Sequence, residues 1–180
     1  MCGVLGIKKG TEMTEEFLNK LIESNHKRGK ASSLAFDTPW GSFFHFRAPT
    51  TGCNLNNLSE AYPLTYKGWG LIGNGVINET FFKSIKDESN NNDLYYILKN
   101  VAENGFDWLK NVDGCFALVF FNKNGNIMLV RNTFPLYVNS DIFSSTKFKG
   151  SQLLEQGVVY NWTIDKVIQE VQLKPSPYLL

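Results

Sequence analysis

The residue with the most chemistry in this chain is Cys2, in the opening run Met1-Cys2-Gly3-Val4-Leu5-Gly6-Ile7. Removal of the initiator Met before so small a residue would leave Cys2 as the N-terminus. One residue would then carry a thiol nucleophile and a free α-amine to act as its base, a pair that needs no catalytic His. The reference pKa of an α-amine, about 7.7–8.0, leaves roughly 10–20% of it unprotonated at pH 7. The competing reading is that Cys2 opens an apolar first strand and is buried there as a small core residue. His26 and His45 are the only histidines, and no Cys/His spacing suits zinc, so no metal is expected. Cys2, Cys53 and Cys115 form an odd, sparse set that points to a reducing compartment, the cytoplasm, rather than a disulfide framework.

The elements that must position Cys2 are legible from periodicity. Residues 3–8 read as a short apolar strand. Thr14 caps a helix with Glu15 and Glu16 in its first turn, and Phe17, Leu18, Leu21 and Ile22 fall on one face. Residues 33–37 and 42–47 read as a hairpin around Pro39-Trp40-Gly41. A strand from Trp69 to Ile72 ends in Gly73-Asn74-Gly75. Asp93 or a neighbouring Asn caps a helix carrying Leu94, Ile97, Leu98 and Val101. Strands at 115–121 and 127–131 are joined by a turn at Asn124-Gly125. The first is apolar on both faces, which predicts a layer above it and another below. Further strands are expected near 136–138, 141–145 and 157–160, with an extended tail from Lys174. Hairpin-paired strands with two clear helices between them predict an α+β fold.

Composition narrows the function classes. At 180 residues the chain suits one domain with a sizeable core, and an apolar fraction of 43% suits a globular fold. Its 18 basic and 17 acidic side chains leave a net charge of +1 with no basic cluster, so neither nucleic acid nor a membrane surface is an expected partner. No apolar run approaches the roughly 20 residues of a spanning helix, and the start lacks the pattern of a signal peptide.

Four segments acquire meaning together: Cys2-Gly3-Val4-Leu5-Gly6, His45-Phe46-Arg47-Ala48-Pro49-Thr50-Thr51-Gly52, Gly73-Asn74-Gly75-Val76-Ile77, and Asp113-Gly114-Cys115-Phe116-Ala117. In this order and spacing they resemble the class II glutamine amidotransferase domain, an N-terminal-nucleophile hydrolase found in asparagine synthetase, glucosamine-6-phosphate synthase and amidophosphoribosyltransferase. The resemblance covers roughly residues 2–145. It implies a four-layer α-β-β-α sandwich with two mainly antiparallel sheets, occupying residues 2–162 with a C-terminal extension at 163–180. It implies hydrolysis of the side-chain amide of glutamine to glutamate and ammonia, through a thioester at Cys2 and without a cofactor. Asn74 and Gly75 match the oxyanion hole, and Arg47 matches the arginine that grips the substrate α-carboxylate. Thr50 and Thr51 fall in the substrate-binding segment, where Thr51 replaces a His, and Gly52 serves the turn. Arg28-Gly29 matches an Arg-Gly turn that supports the site from behind. His45, Cys53 and Cys115 read as structural.

The chain departs from the pattern in places. The Asp that binds the substrate α-ammonium falls on Asn91 in the simplest alignment and on Asp93 after a two-residue slip. Ala31 stands where an Asp usually follows the Arg-Gly turn. The loop Arg131-Asn132-Thr133-Phe134-Pro135-Leu136 is shortened and lacks the usual Asp and Gly. No synthetase domain follows, so the expected partner is a separate ammonia-accepting synthetase. The alternatives are a hydrolase of γ-glutamyl amides of a small molecule, or an inactive interaction module of the same fold.

Overall fold

The computed structural model describes residues 1–48, 63–87 and 90–175. Strand β1 (Gly3–Lys8) leads through a tight turn to helix α1 (Glu15–His26), whose N-cap Thr14 accepts the Phe17 N–H as its sequence predicts. A hairpin of β2 (Ser32–Thr38) and β3 (Gly41–Arg47) follows. Next come β4 (Leu64–Tyr66), β5 (Trp69–Ile77) and helices α2 (Glu79–Ile85) and α3 (Asp93–Asn104). After a 3₁₀ turn at Phe106–Asn111 the chain continues through β6 (Gly114–Asn122), β7 (Ile127–Arg131), β8 (Tyr137–Val138), β9 (Ile142–Ser144), β10 (Gln152–Leu153), β11 (Val158–Asn161) and β12 (Lys166–Glu170).

Among the described residues the strands form two six-stranded sheets, ordered β10-β8-β9-β1-β3-β2 and β12-β11-β7-β6-β5-β4. The paired strands run antiparallel. Successive strand residues point to opposite faces, and the core follows that alternation. Val4 and Phe43 of the first sheet meet Ile72, Ala117, Val119 and Leu129 of the second, in the space between the sheets. On the outer face of the first sheet, Leu5 and Ile142 pack against Leu21 of α1. On the outer face of the second, Leu71, Phe116, Leu118 and Phe120 pack under Leu94, Ile97, Leu98 and Val101 of α3. Strand β6 is therefore covered on both faces, which is why both of its faces are apolar. No helix among the described residues is long and apolar enough to cross a membrane.

Two departures from the sequence expectations matter. Strand β5 does not end at Gly73-Asn74-Gly75; it runs on to Ile77, in unbroken register with β6 from Trp69↔Asn122 to Ile77↔Gly114. Glycines depress strand propensity, but full-length pairing with the largely apolar central strand β6 overrides that local preference. The short elements α2, β4, β10 and β12 have too few periodic residues to stand out in the sequence. The stretch beyond residue 162 carries β12 on the edge of the second sheet and buries Val171.

Candidate active site

Alternation along three strands sends the predicted side chains into one space. On β1, Val4 points between the sheets, so Cys2, two residues earlier, lies on the same face. On β3, Phe43 points inward, and so by the same period do His45 and Arg47. On β5, Ile72 points inward and so does Asn74. Val76, the next residue on that face, is half exposed, so the inter-sheet space opens to solvent just past Asn74.

Cys2 is tied down from several sides. Its backbone N–H donates to Asn74 Oδ1 at 3.1 Å, across the gap between the sheets. Its carbonyl accepts from Arg28 Nε at 3.2 Å, and its Sγ accepts from the Ala48 N–H at 3.5 Å. Burial lowers the Arg28 pKa, opposed by the Cys2 and Tyr137 groups that favour its charge. Met1 is largely exposed and touches the chain through Arg28, whose guanidinium lies 3.8 Å from its Sδ. With Met1 attached the Cys2 nitrogen is an amide and cannot act as a base.

Asn74 is only 3% exposed. Its Oδ1 is engaged by Cys2, while its Nδ2 is buried with no hydrogen-bond partner. Asn74 Nδ2 and Asn25 Oδ1 are the two such atoms found among the described residues. A buried donor without a partner is unfavourable by about 1–3 kcal/mol, and an acceptor entering the site beside Cys2 would relieve that cost.

The backbone of β5 supplies a second donor, for a reason of parity. Asn132 N–H donates to the Phe116 carbonyl at 3.0 Å and Asn132 Oδ1 accepts the Phe116 N–H at 2.6 Å, so the polar groups of Phe116 face away from β5. Its register partner Gly75 then belongs to a non-hydrogen-bonded pair. The N–H and C=O groups of Gly73, Gly75 and Ile77 therefore point to the opposite edge of β5. Among the described residues, strand β4 pairs with that edge as far as Leu64↔Leu71. Beyond β4, among the described residues, the Gly73 carbonyl is met by His45 Nε2 at 3.0 Å, and the Ile77 N–H lies beside the Asp93 carboxyl, where it pulls the pKa of that group down. The Gly75 N–H lies between them. A Cβ at Gly75 would sit 2.6 Å from Leu94 Cδ2, so any larger residue there has to displace the end of that side chain.

The remaining predicted residues divide by position. Arg47 ends β3 and is half-buried, opposite Ser32. Gly29 lets the turn after α1 lie on β3: a Cβ would run into the Phe46 carbonyl oxygen and come within 2.7 Å of the Arg47 carbonyl carbon. Asp93 opens α3, with burial pushing its carboxyl upward against the pull of the Leu94, Ile77 and Asp93 N–H groups. The helix cap itself is Asn92, which accepts the Leu94 N–H at 3.0 Å. Asn91 is exposed, with its Oδ1 held by Lys86 Nζ at 2.7 Å. Cys115 is buried. Thr50, Thr51, Gly52 and Cys53 lie outside the described residues.

The sequence pattern marks His45 as structural and carries no sign of its contact with Gly73. It also has no signal for the Ala48 N–H beside Cys2 Sγ. No group of three or more His, Cys, Asp or Glu that could hold a metal occurs among the described residues. No protein-family model matches the chain, and no curated protein matches it. What characterises the site is thus its geometry: a cysteine nitrogen, a buried amide donor without a partner among the described residues, and the end of β5 beyond β4, meeting at the open end of a two-sheet sandwich.

Proposed function

We propose that this chain is a class II glutamine amidotransferase domain of the N-terminal-nucleophile type, hydrolysing the side-chain amide of glutamine once Met1 has been removed. The observation that carries the reading is Asn74: its Oδ1 holds the Cys2 nitrogen and its buried Nδ2 awaits an acceptor. Helices on both outer faces of the sandwich support the four-layer fold that the resemblance implies.

In this reading the freed Cys2 amine takes the thiol proton and the thiolate attacks the amide carbon. The developing oxyanion accepts hydrogen bonds from Asn74 Nδ2 and the Gly75 N–H. The proton passes from the amine to the leaving nitrogen, and ammonia departs. A water, deprotonated by the same amine, then attacks the thioester and releases glutamate, and the proton returns to the thiolate. Arg47 grips the α-carboxylate with its planar guanidinium. Asp93, rather than Asn91, receives the α-ammonium: its carboxylate stands at the β5 edge, whereas Asn91 turns outward to Lys86. The ammonia goes to a separate synthetase.

The test is direct. Chain whose intact mass confirms loss of Met1 is mixed with glutamine, and glutamate and ammonia are followed. Turnover abolished by Cys2→Ala is the expected result. No turnover, with or without candidate acceptor proteins, makes the chain an inactive module. Faster cleavage of another γ-glutamyl amide reassigns the substrate.

A further inference from the structure

His45 is a buried imidazole, 2% exposed, that the mechanism above does not use. It lies on β3 of the first sheet, two residues before Arg47, and its Nε2 lies 3.0 Å from the Gly73 carbonyl oxygen on β5 of the second. A carbonyl can only accept, so Nε2 carries the proton and donates. That carbonyl is on the edge of β5 that faces away from β6, beyond the end of β4, so neither described neighbouring strand takes it.

We propose that His45 is a positioning residue: by donating to the Gly73 carbonyl it holds the Asn74-Gly75 donor pair at a set distance from Cys2 and Arg47, a role that rests on the glutaminase reading. The Cys2 nitrogen also crosses the gap, to Asn74 Oδ1, but that nitrogen gains and loses a proton in each half of the reaction. The His45 bond takes no part in the proton transfers and keeps β5 in place throughout. Burial, reinforced by the nearby Arg47 charge and opposed by the Gly73 bond, lowers the His45 pKa to about 4. The imidazole is therefore neutral across the working range and adds no second cation beside Arg47.

Two substitutions of equal polarity separate positioning from packing. In His45→Gln the side-chain amide nitrogen reaches about as far as Nε2 and remakes the bond; in His45→Asn it falls short. Removing an oxyanion donor outright lowers kcat about 10²–10³-fold, so a displaced pair is expected to lower it about 10- to 100-fold in His45→Asn. The KM for glutamine should stay within about threefold, because the oxyanion exists only in the transition state. His45→Gln should recover kcat to within about threefold of the unsubstituted chain. Equal kcat in the two variants, or a loss carried mainly by KM, overturns the role. Should His45→Asn fail to fold, His45→Gln decides alone: a loss beyond threefold in a folded chain refutes it. An unsubstituted, Met1-free chain that does not hydrolyse glutamine removes the parent reading and this role together. An active one with kcat untouched in His45→Asn removes only the role of His45.

Discussion

Replacing Asn74 with Leu, close to it in shape, should damage the chemistry without damaging the fold. The substitution removes a buried, unpartnered Nδ2 donor, and relieving such a group is worth about 1–3 kcal/mol. It also removes the bond from the Cys2 N–H to Oδ1, a loss of about 0.5–1.5 kcal/mol. The net change runs from about −0.5 to about +2.5 kcal/mol in favour of the variant. A chain of this size moves about 2–4 °C in Tm per kcal/mol, so Tm should fall by no more than about 2 °C and rise by at most about 10 °C. Over the same substitution kcat for glutamine should fall about 10²–10³-fold, the usual loss for one oxyanion donor. Calorimetry on the Met1-free chain reads the first quantity and a coupled ammonia assay the second. A residue kept for stability would behave the opposite way. A Tm drop of more than about 5 °C with turnover retained would therefore refute the assignment of Nδ2 to the oxyanion.

Other expectations follow from the same geometry. Gly29→Ala should destabilise the chain by more than about 2 kcal/mol in denaturant titration, since a Cβ would meet the backbone of Phe46 and Arg47 and neither strand nor turn can yield cheaply. Wild-type stability would contradict the close approach of that turn to β3. Asp93→Asn should raise the KM for glutamine about tenfold or more, given about 1.5–3 kcal/mol for a hydrogen bond to a charged group, while Asn91→Ala leaves it unchanged; the reverse pattern would reassign the amine site. Stability should also fall as pH drops through the window from 6.5 to about 4. There the unfolded chain protonates His45 and the folded chain, with its pKa at about 4, does not. The sign is that of a group that binds more protons when unfolded, and the full loss is about 3 kcal/mol. Asp93, with its pKa raised, acts in the opposite direction. The difference between wild type and His45→Gln isolates the His45 contribution, and parallel pH profiles for the two would disprove it.

Much of the architecture is readable in one dimension because strands and helices announce themselves by period. The Thr14 cap, the double-faced β6 and the apolar stripe of α3 all appear as patterns of neighbours in sequence, and the structure follows each. Short edge elements such as β4 and β12 escape because two or three alternations do not rise above chance. Strand β5 departs from the sequence expectation at Gly73-Asn74-Gly75, which looks like a turn. Pairing with β6 keeps it extended, and that pairing is a property of residues some forty positions away.

The division between what sequence determined and what folding decided runs through Asn74. The residue types are set by the chain alone: a cysteine after the initiator, an arginine after an apolar strand, an amide between two glycines. Their resemblance to a known constellation follows from order and spacing. Which atoms are left wanting a partner does not. That depends on hydrogen-bond parity across β5 and β6 and on the stacking that brings the Cys2 nitrogen within 3.1 Å of a residue 72 positions away. The same three-dimensional facts turn Asp93 toward the strand edge, send Asn91 out to Lys86, and set His45 against Gly73. Local periodicity dictates which face a side chain takes. Only the packed sheets decide what that face meets.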